Sequence, residues 1–389
     1  MRIAIDIRGL ARDKQGGVGE YTKQLLRAIF SVSPEHDYVL LSTGTEMARR
    51  HVLDNLEQIG ADEHRAHVRH VHINEPNKKL NFSIFTRETP YLDELAKVGT
   101  DRCDVFFFPN LNFITTNSTP SVVTMHDLSW RIFPQFFTAK DRAWHQAVRP
   151  GKTLNEAEAV IVPSLSTKRD LVSLLKIDET KIHVIPHGID HHIFQPKTLA
   201  QDHGVRSQHK LPKQYILYLG TIEPRKNIHA LLDAFENSKL ITKNYQLVLA
   251  GGPGWKSADI LERIKNTAHV QYLGYVPAEH RPALYRGASA FIFPSIYEGF
   301  GLPVLEAMAC GTPVITSHTS SLPEITQNAA MLINPYNAND ISEALSQLLA
   351  SSELQTELTE QGLARAAEFD WTKTAKSTLK VLQSTALYN

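Results

Sequence analysis

The chain has 389 residues, and its 41 basic and 41 acidic side chains give a formal net charge of zero. A balanced charge argues against a nucleic-acid-binding protein, which normally carries a basic domain, and 42% hydrophobic residues at this length predict two or three globular domains. Two distant cysteines, Cys103 and Cys310, exclude a disulfide framework, and no segment has the length of a signal peptide or membrane span, so a cytoplasmic location is expected.

Short apolar runs bounded by turn residues recur along the chain and predict buried strands. The runs of the first half are Ile3–Ile5, Tyr38–Leu41, Val105–Phe108, Val122–Met125, Val160–Val162 and His183–Ile185. The runs of the second half are Tyr215–Leu219, Gln246–Ala250, Val270–Leu273, Ala290–Phe293, Val314–Thr316 and Ala330–Ile333. Amphipathic segments of helix length, such as Tyr21–Phe30 and Ile228–Phe235, lie between most of them. This alternation predicts an α/β fold with two doubly wound parallel-sheet domains.

A polar stretch, Gln201–Gln214, separates the two sets of runs and predicts a linker. The predicted domains are therefore 1–195 and 196–370, and the helical pattern of Trp371–Leu387 predicts a separate C-terminal segment, 371–389. Because doubly wound folds bind ligands beyond the carboxyl ends of their strands, we expect the site in a cleft between the two domains.

Two motifs of the first half lie where predicted strands end. Gln15-Gly16-Gly17-Val18-Gly19-Glu20-Tyr21 follows the first strand, and its three glycines allow the backbone to approach a phosphate closely. His126 and Asp127 follow the run Val122–Met125. Glycine-rich loops are common, and a histidine at a strand end is more often structural, so neither motif identifies a site by itself.

A basic motif opens the second domain. Leu219-Gly220-Thr221-Ile222-Glu223-Pro224-Arg225-Lys226-Asn227 leads from a strand into the helix Ile228–Phe235, for which Asn227 is a suitable N-cap. Arg225 and Lys226 therefore add two cations at a helix N-terminus, which favours phosphate. A solvated charged turn is the alternative interpretation.

The run from Pro294 to Gly311 is the most informative part of the sequence. Glu298 and Glu306 lie eight positions apart around a glycine-punctuated turn. Pro303 suits the first position of a helix, which places Glu306 in the first turn, and Gly311 suits the left-handed cap of that helix. The turn would aim backbone N–H groups and a positive helix end at solvent. Two carboxylates beside it could reach both ends of an elongated anionic ligand, such as a diphosphate-linked sugar. The alternative is a corner with a solvated Glu298.

Other apparent ligand motifs fail on inspection. Gly251-Gly252-Pro253-Gly254-Trp255-Lys256-Ser257 is similar to a phosphate loop, but Trp255 separates the glycine from the lysine and breaks the pattern. The sequence contains no Asp-x-Asp and no His/Cys cluster with ligand spacing, so we expect metal-independent chemistry without a cofactor.

The run Pro294–Gly311, with its Glu-Gly-Phe-Gly-Leu-Pro core, resembles the Glu-x7-Glu motif of family-four retaining glycosyltransferases. These enzymes use nucleotide sugars and have the GT-B fold, in which two Rossmann-like domains face a cleft. The resemblance extends from the glycine run to Trp371. It implies an acceptor side in domain 1–195, a donor site in domain 196–370, and a helix in 371–389 that crosses back to the first domain.

The resemblance also implies roles for single residues. Lys226 matches the family lysine on the donor diphosphate, but Thr221 stands where the family has an arginine, so Arg225 either replaces that arginine or does something else. His126 would contact the transferred sugar and Glu298 its hydroxyl groups. The resemblance also implies retention of the anomeric configuration. The preferred hypothesis is same-face attack with a leaving phosphate oxygen as proton acceptor, and double displacement through a carboxylate is the alternative.

Further positions would bind the donor. Glu306 would accept hydrogen bonds from the ribose, and the backbone near Val276 would face the nucleobase. The other implied donor-binding residues are Gly17, Thr221, Gly299, Phe300, Gly301 and Leu302.

The motif Leu219–Asn227 looks like that of family members in cell-surface polysaccharide synthesis, many of which use GDP-mannose. UDP-glucose, UDP-galactose and UDP-N-acetylglucosamine stay open as donors. A nucleotide-sugar epimerase and a catalytically silent binding protein are rivals, but Glu298 and Lys226 are both present.

The expected partners are a nucleotide-sugar donor and a glycan or lipid-linked acceptor, with no nucleic acid. Family members with lipid-linked acceptors often dock on the inner face of the membrane through a basic first-domain surface. Arg49-Arg50 and Lys78-Lys79-Leu80-Asn81-Phe82 are candidates for such peripheral contact, although isolated charge pairs are usually solvated.

Overall fold

The structure, a computed structural model, describes residues 1–11, 16–64, 67–97, 102–238, 240 and 244–387. The strands are β1 (Arg2–Asp6), β2 (Asp37–Thr43), β3 (Val68–Ile73), β4 (Val105–Phe108), β5 (Ser121–Thr124), β6 (Ala159–Val162), β7 (Ile182–Val184), β8 (Tyr215–Leu219), β9 (Gln246–Ala250), β10 (Val270–Gly274), β11 (Ala290–Phe293), β12 (Val314–Ser317) and β13 (Met331–Ile333). The α-helices are α1 (Gly17–Val32), α2 (Glu46–Gln58), α3 (Asn77–Arg87), α4 (Leu92–Leu95), α5 (Ser129–Ile132), α6 (Ala139–Val148), α7 (Pro150–Glu156), α8 (Leu165–Asp170), α9 (Ala200–Gln208), α10 (Ile228–Asn237), α11 (Ala258–Asn266), α12 (Arg281–Gly287), α13 (Leu302–Ala309), α14 (Leu322–Thr326), α15 (Ala338–Ala350), α16 (Ser352–Ala366) and α17 (Trp371–Leu387).

Two parallel sheets organise these elements. A seven-stranded sheet has the order β3-β2-β1-β4-β5-β6-β7, and a six-stranded sheet has the order β10-β9-β8-β11-β12-β13. In each sheet the strand order reverses beside the first strand along the chain, β1 or β8, and in such sheets ligands bind at the carboxyl ends near this switch point. The predicted α/β fold of two doubly wound sheets is confirmed.

Helices cover both faces of each sheet, so side chains that point either way from a strand are buried. Every residue of β4, Val105–Phe108, and of β11, Ala290–Phe293, is fully buried. This burial explains why the strands appear in the sequence as continuous apolar runs. Both cysteines are buried and form no disulfide. No helix among the described residues is both long enough and apolar enough to cross a bilayer.

The chain forms two compact units. The first contains Met1–Leu128, Lys140–Gly188 and Trp371–Asn389, and the second contains Ser129–Ala139 and Ile189–Asp370. These bounds differ from the predicted limits 1–195 and 196–370, because residues 189–195 and Ser129–Ala139 belong to the second unit. Helix α17 belongs to the first unit, where its Leu379 and Leu382 share a core with Tyr21 and Leu25 of α1.

Two sequence predictions on secondary structure were wrong. The expected linker Gln201–Gln214 contains the helix α9, which buries Val205 and pairs Asp202 with Arg286 at 2.6 Å. Because α9 buries only one apolar side chain, its sequence has too weak a helical period to predict a helix. The strand β3 was missed because it lies at a sheet edge and carries polar side chains. Its His70 and His72 contact the Ser42 hydroxyl at 2.7 and 2.8 Å.

Gly251 and Gly204 provide a matched pair of glycine substitutions. Gly251 has φ +142°, and an added Cβ would lie 1.9 Å from the Gly220 carbonyl oxygen, whereas a Cβ at Gly204 in α9 meets nothing within 4 Å. We expect Gly251→Ala to lower the free energy of unfolding by at least about 2 kcal/mol. Gly204→Ala should raise it by up to about 1 kcal/mol. Urea unfolding followed by circular dichroism measures both, and an unchanged Gly251→Ala protein would contradict the strained geometry.

Candidate active site

Three loops meet at the carboxyl edge of the six-stranded sheet, after β8, β9 and β11. The loop after β8 is joined to the loop after β9 by hydrogen bonds from Ile222 N to Gly252 O and from Gly254 N to Ile222 O, both 2.9 Å. Ile296 N, after β11, donates to Arg225 O at 3.0 Å. These bonds hold the basic motif of residues 219–227 directly against the run that carries Glu298.

A buried cluster of four charges occupies this junction. The Arg225 guanidinium donates through Nε and Nη2 to Glu223 Oε1 at 3.1 and 2.8 Å, and its Nη1 lies 3.0 Å from Glu298 Oε2. Lys226 Nζ donates to Glu298 Oε1. The four side chains are between 2% and 11% exposed. Two cations and two carboxylates therefore compensate one another where water has little access.

The cluster decides the ionisation of its carboxylates. Burial disfavours the charged form of Glu298, but Arg225 and Lys226 outweigh it and lower the pKa of this carboxyl to about 2. Burial raises the pKa of Glu223, although Arg225 and Lys226 oppose that rise. Burial also lowers the pKa of Lys226, and the adjacent Arg225 adds to the effect. Glu298 is consequently an ionised acceptor at neutral pH.

Hydrogen bonds fix the turn around Glu298. Its N–H donates to Ser320 Oγ at 2.9 Å, and its carbonyl accepts from Ser321 Oγ at 2.9 Å. Ser321 Oγ also lies 2.7 Å from Phe300 O. Gly301 then adopts φ +119° before α13, and Gly311 after the helix has the predicted left-handed conformation, φ +73°. Residues 299–301 are buried, which differs from the expected solvent-facing turn.

Glu306 has a different setting from the one that the sequence suggested. It is the fifth residue of α13 and not part of the first turn, and its Oε2 accepts a hydrogen bond from Tyr285 OH at 2.8 Å. Burial, with Glu306 beside it, raises the pKa of Tyr285 well above its ordinary value. Sequence reasoning missed Tyr285, because nothing local to α12 indicates a partner in α13.

The remaining predicted donor residues lie in the same unit. Thr221 is exposed, and its carbonyl accepts from Tyr218 OH at 3.1 Å. Val276 is buried behind Tyr275, which is exposed, and Leu302 is half-buried at the start of α13. Asn227 occupies the N-cap position but makes no cap bond, contrary to expectation. It adopts φ +61°, and its Nδ2 donates to Pro294 O and Pro335 O instead.

His126 belongs to the first unit. Its Nε2 lies 2.9 Å from Pro109 O, which can only accept, so Nε2 carries the hydrogen. The ring meets the Tyr21 ring edge-on at 4.8 Å, and the His187 ring at 5.7 Å. Burial lowers the pKa of His126 despite the bond to Pro109 and the charge of Asp127. The imidazole is therefore neutral and held in one tautomer.

The glycine run differs from the predicted phosphate loop. Helix α1 begins at Gly17, so Gly17 and Gly19 are helical, and Gln15 lies outside the described residues. Gly16 and Gly17 are exposed, and a Cβ added at either meets nothing within 4 Å. The structure thus places Gly17 and His126 in the first unit, and Glu298, Glu306, Arg225 and Lys226 in the second. Within the described ranges, no group of three His, Cys, Asp or Glu side chains is arranged to hold a metal ion.

Comparisons with known proteins cover most of the chain. The sequence model described as Glycosyltransferase Family 4 matches residues 15–192, and that described as Glycosyl transferases group 1 matches residues 201–365. Over 264 residues, 67% of this chain, the sequence is 34% identical to 69% of the O-antigen chain mannosyltransferase B of Escherichia coli. It is 27% identical to the serotype-specific mannosyltransferase WbdA of Escherichia coli over 96% of this chain, which spans only 47% of WbdA.

The fold has counterparts among solved structures. Sucrose-phosphate synthase from Thermosynechococcus elongatus superposes with a TM-score of 0.76 at 22% identity, with all of both chains covered. At that identity the likeness shows the fold, and the predicted GT-B architecture is confirmed.

Removal of one carboxylate tests the charge cluster. Glu298→Gln leaves Arg225 and Lys226 without their shared partner, so we expect a loss of about 3–5 kcal/mol in unfolding free energy at pH 7. Because the folded pKa of Glu298 is about 2, below its ordinary value, the wild-type advantage exists above about pH 5 and fades as the pH falls toward 2. Urea unfolding between pH 3 and 7 measures this difference.

The exposed Glu279→Gln is the control and should change stability little at any pH. A Glu298→Gln penalty that is independent of pH would show that the lost stability comes from packing and not from charge.

Proposed function

We propose that this chain, which belongs to the family 4, group 1 glycosyltransferases, transfers mannose from GDP-mannose to a hydroxyl group of a glycan or lipid-linked acceptor. Two relatives that are named mannosyltransferases support mannose as the transferred sugar. The motif Leu219–Asn227 supports GDP-mannose by its similarity to polysaccharide-synthesis enzymes. Cytoplasmic location and peripheral membrane contact stay predictions.

The observation that carries the proposal is the Lys226–Glu298 ion pair inside a charge-balanced, buried cluster. A donor diphosphate is a stronger anionic partner for Lys226 than one carboxylate. When the diphosphate takes Lys226, the Glu298 carboxylate becomes available to the hydroxyl groups of the transferred sugar. As the sugar–phosphate bond breaks, Lys226 stabilises the charge that develops on the leaving diphosphate. No metal ion enters this scheme, which predicts transfer in the presence of a chelator.

Arg225 has a separate role in the proposal. One edge of its guanidinium is held by Glu223, and its Nη1 donates to Tyr297 O at 2.7 Å and faces Glu298. These contacts make Arg225 a positioning residue for Glu298, and they leave the family arginine at Thr221 without a replacement. Sequence reasoning did not assign a role to Glu223, because only the fold shows which cation it contacts.

The ribose end of the donor is assigned to Glu306. Its carboxylate is held by Tyr285 OH at 2.8 Å, which fixes the orientation in which its second oxygen can accept from ribose hydroxyl groups. Val276 and the turn residues Gly299–Leu302 complete the donor site in the proposal.

The proposed reaction retains the anomeric configuration. The bond between sugar C1 and the phosphate oxygen breaks, the acceptor oxygen bonds to C1 on the same face, and the leaving phosphate oxygen takes the acceptor proton. His126 contacts the transferred sugar as a neutral imidazole. Double displacement would need a carboxylate nucleophile besides Glu298. Glu223 is the other carboxylate of the cluster, but Arg225 holds it and only 2% of its side chain is exposed.

Nucleotide binding tests the donor site. We expect calorimetry to show GDP binding without metal and in the presence of EDTA. Lys226→Ala should weaken this binding at least about tenfold, because it removes a charge-assisted contact to the diphosphate. The exposed Lys265→Ala in the same unit is the matched control and should bind as wild type does.

Other outcomes separate the alternatives. Binding of UDP in preference to GDP would replace GDP-mannose with a UDP-sugar donor. Equal binding to wild type and Lys226→Ala would contradict the assigned diphosphate contact. Donor conversion without acceptor would indicate an epimerase.

The product anomer tests retention. With GDP-mannose and an acceptor glycan, we expect the NMR coupling constants of the new linkage to show the α configuration of the donor. Glu298→Gln should lower kcat by about 10² or more, since it removes a charge beside the developing oxocarbenium. An inverted product, or a trapped glycosyl–enzyme adduct, would overturn the same-face mechanism.

A further inference from the structure

The segment Ser129–Ala139, here called the arm, leaves one unit and joins the other. It follows β5 of the first unit and ends at the first residue of α6, yet it belongs to the second unit. The arm carries four aromatic side chains, Trp130, Phe133, Phe136 and Phe137, and the last of these is buried. Apolar rings on a short connecting segment need a surface to pack against.

The loop Gly251–Ser257, whose sequence is similar to a phosphate loop interrupted by Trp255, provides that surface. The Trp255 ring stacks on the Phe137 ring with 5.2 Å between centroids and 25° between planes. Lys256 Nζ donates to the Gln135 carbonyl oxygen at 2.6 Å. The tryptophan that breaks the phosphate pattern and the lysine that would complete it therefore both bind the arm.

The arm also reaches the charge cluster. Phe133 lies 6.0 Å from the Tyr297 ring and stacks on Phe136 at 5.5 Å. Tyr297 directly precedes Glu298, and its carbonyl accepts the hydrogen bond from Arg225 Nη1 at 2.7 Å. A displacement of Phe133 would therefore remove packing from Tyr297, the residue directly before Glu298.

We propose that the arm is a positioning element for sugar transfer and that Phe137, Trp255 and Lys256 are the residues that anchor it. The anchored arm packs on Tyr297 beside Glu298. This inference rests on the proposed function for its catalytic consequence, but the anchoring itself can be measured without activity.

The test uses the full chain and the variants Trp255→Ala, Phe137→Ala and Lys256→Met. Two exposed residues provide matched controls, Trp144→Ala for the aromatic variants and Lys265→Met for Lys256→Met. Hydrogen exchange of peptides from residues 129–139 reports anchoring, with β8 and β11 as internal references. We expect arm exchange about five- to tenfold faster in the first two variants, and a smaller rise in Lys256→Met.

Kinetics and binding report positioning. In Trp255→Ala and Phe137→Ala we expect kcat to fall at least about tenfold, because the reacting groups are less well aligned. The GDP dissociation constant should stay within about twofold, since the contacts described above join the arm to Tyr297, Trp255 and Lys256, none of which is a proposed donor-binding residue. The controls should match wild type in all three measurements.

Each outcome tests a different part of the proposal. Unchanged arm exchange would overturn the anchoring, and faster exchange with unchanged kcat would overturn the positioning role. If the alanine variants also raise exchange in β8 and β11, they are unfolded, and Lys256→Met decides the question. A wild-type protein that binds no nucleotide would defeat the proposed function while leaving the exchange result on the arm intact.

Discussion

The pairing of Glu223, Arg225, Lys226 and Glu298 is the constraint on which the second unit depends. Buried charges are tolerated only when each has a partner, and the partners here come from two loops that lie far apart in sequence. The loop after β8 and the loop after β11 must therefore take their final conformations together. In the proposed function, this mutual requirement keeps Arg225 and Lys226 ordered before a diphosphate arrives.

Parallel sheets explain why such loops meet. In the six-stranded sheet β8 lies between β9 and β11, so connections that are distant in sequence emerge side by side at one edge. The close approach of Gly251 to the Gly220 carbonyl and the bonds through Ile222 then bring the loops together. The scaffold therefore determines the site: burial of the apolar strands fixes the positions of the polar loops that follow their carboxyl ends.

The sequence predicted those parts that depend on local pattern. Val105–Phe108, Tyr215–Leu219 and Trp371–Leu387 have the bounds expected from their apolar periods, and Gly311 has the expected left-handed conformation. Side-chain contacts between distant elements could not be predicted, since no local pattern indicates that Tyr285 bonds Glu306 or that Glu223 bonds Arg225. Local sequence preference also misled where tertiary contacts compete: the Asn227 side chain donates to the carbonyls of Pro294 and Pro335 and does not cap its helix.

The division of the chain has a consequence for its modular use. Neither unit is a continuous stretch of sequence. The arm belongs to the second unit but lies between two segments of the first, and α17 follows the second unit along the chain but belongs to the first. A chimera that joins the two halves of different relatives at residue 188 would combine an arm from one parent with a Gly251–Ser257 loop from the other. The packing of each unit is therefore inherited intact only when the arm travels with the second unit and α17 with the first.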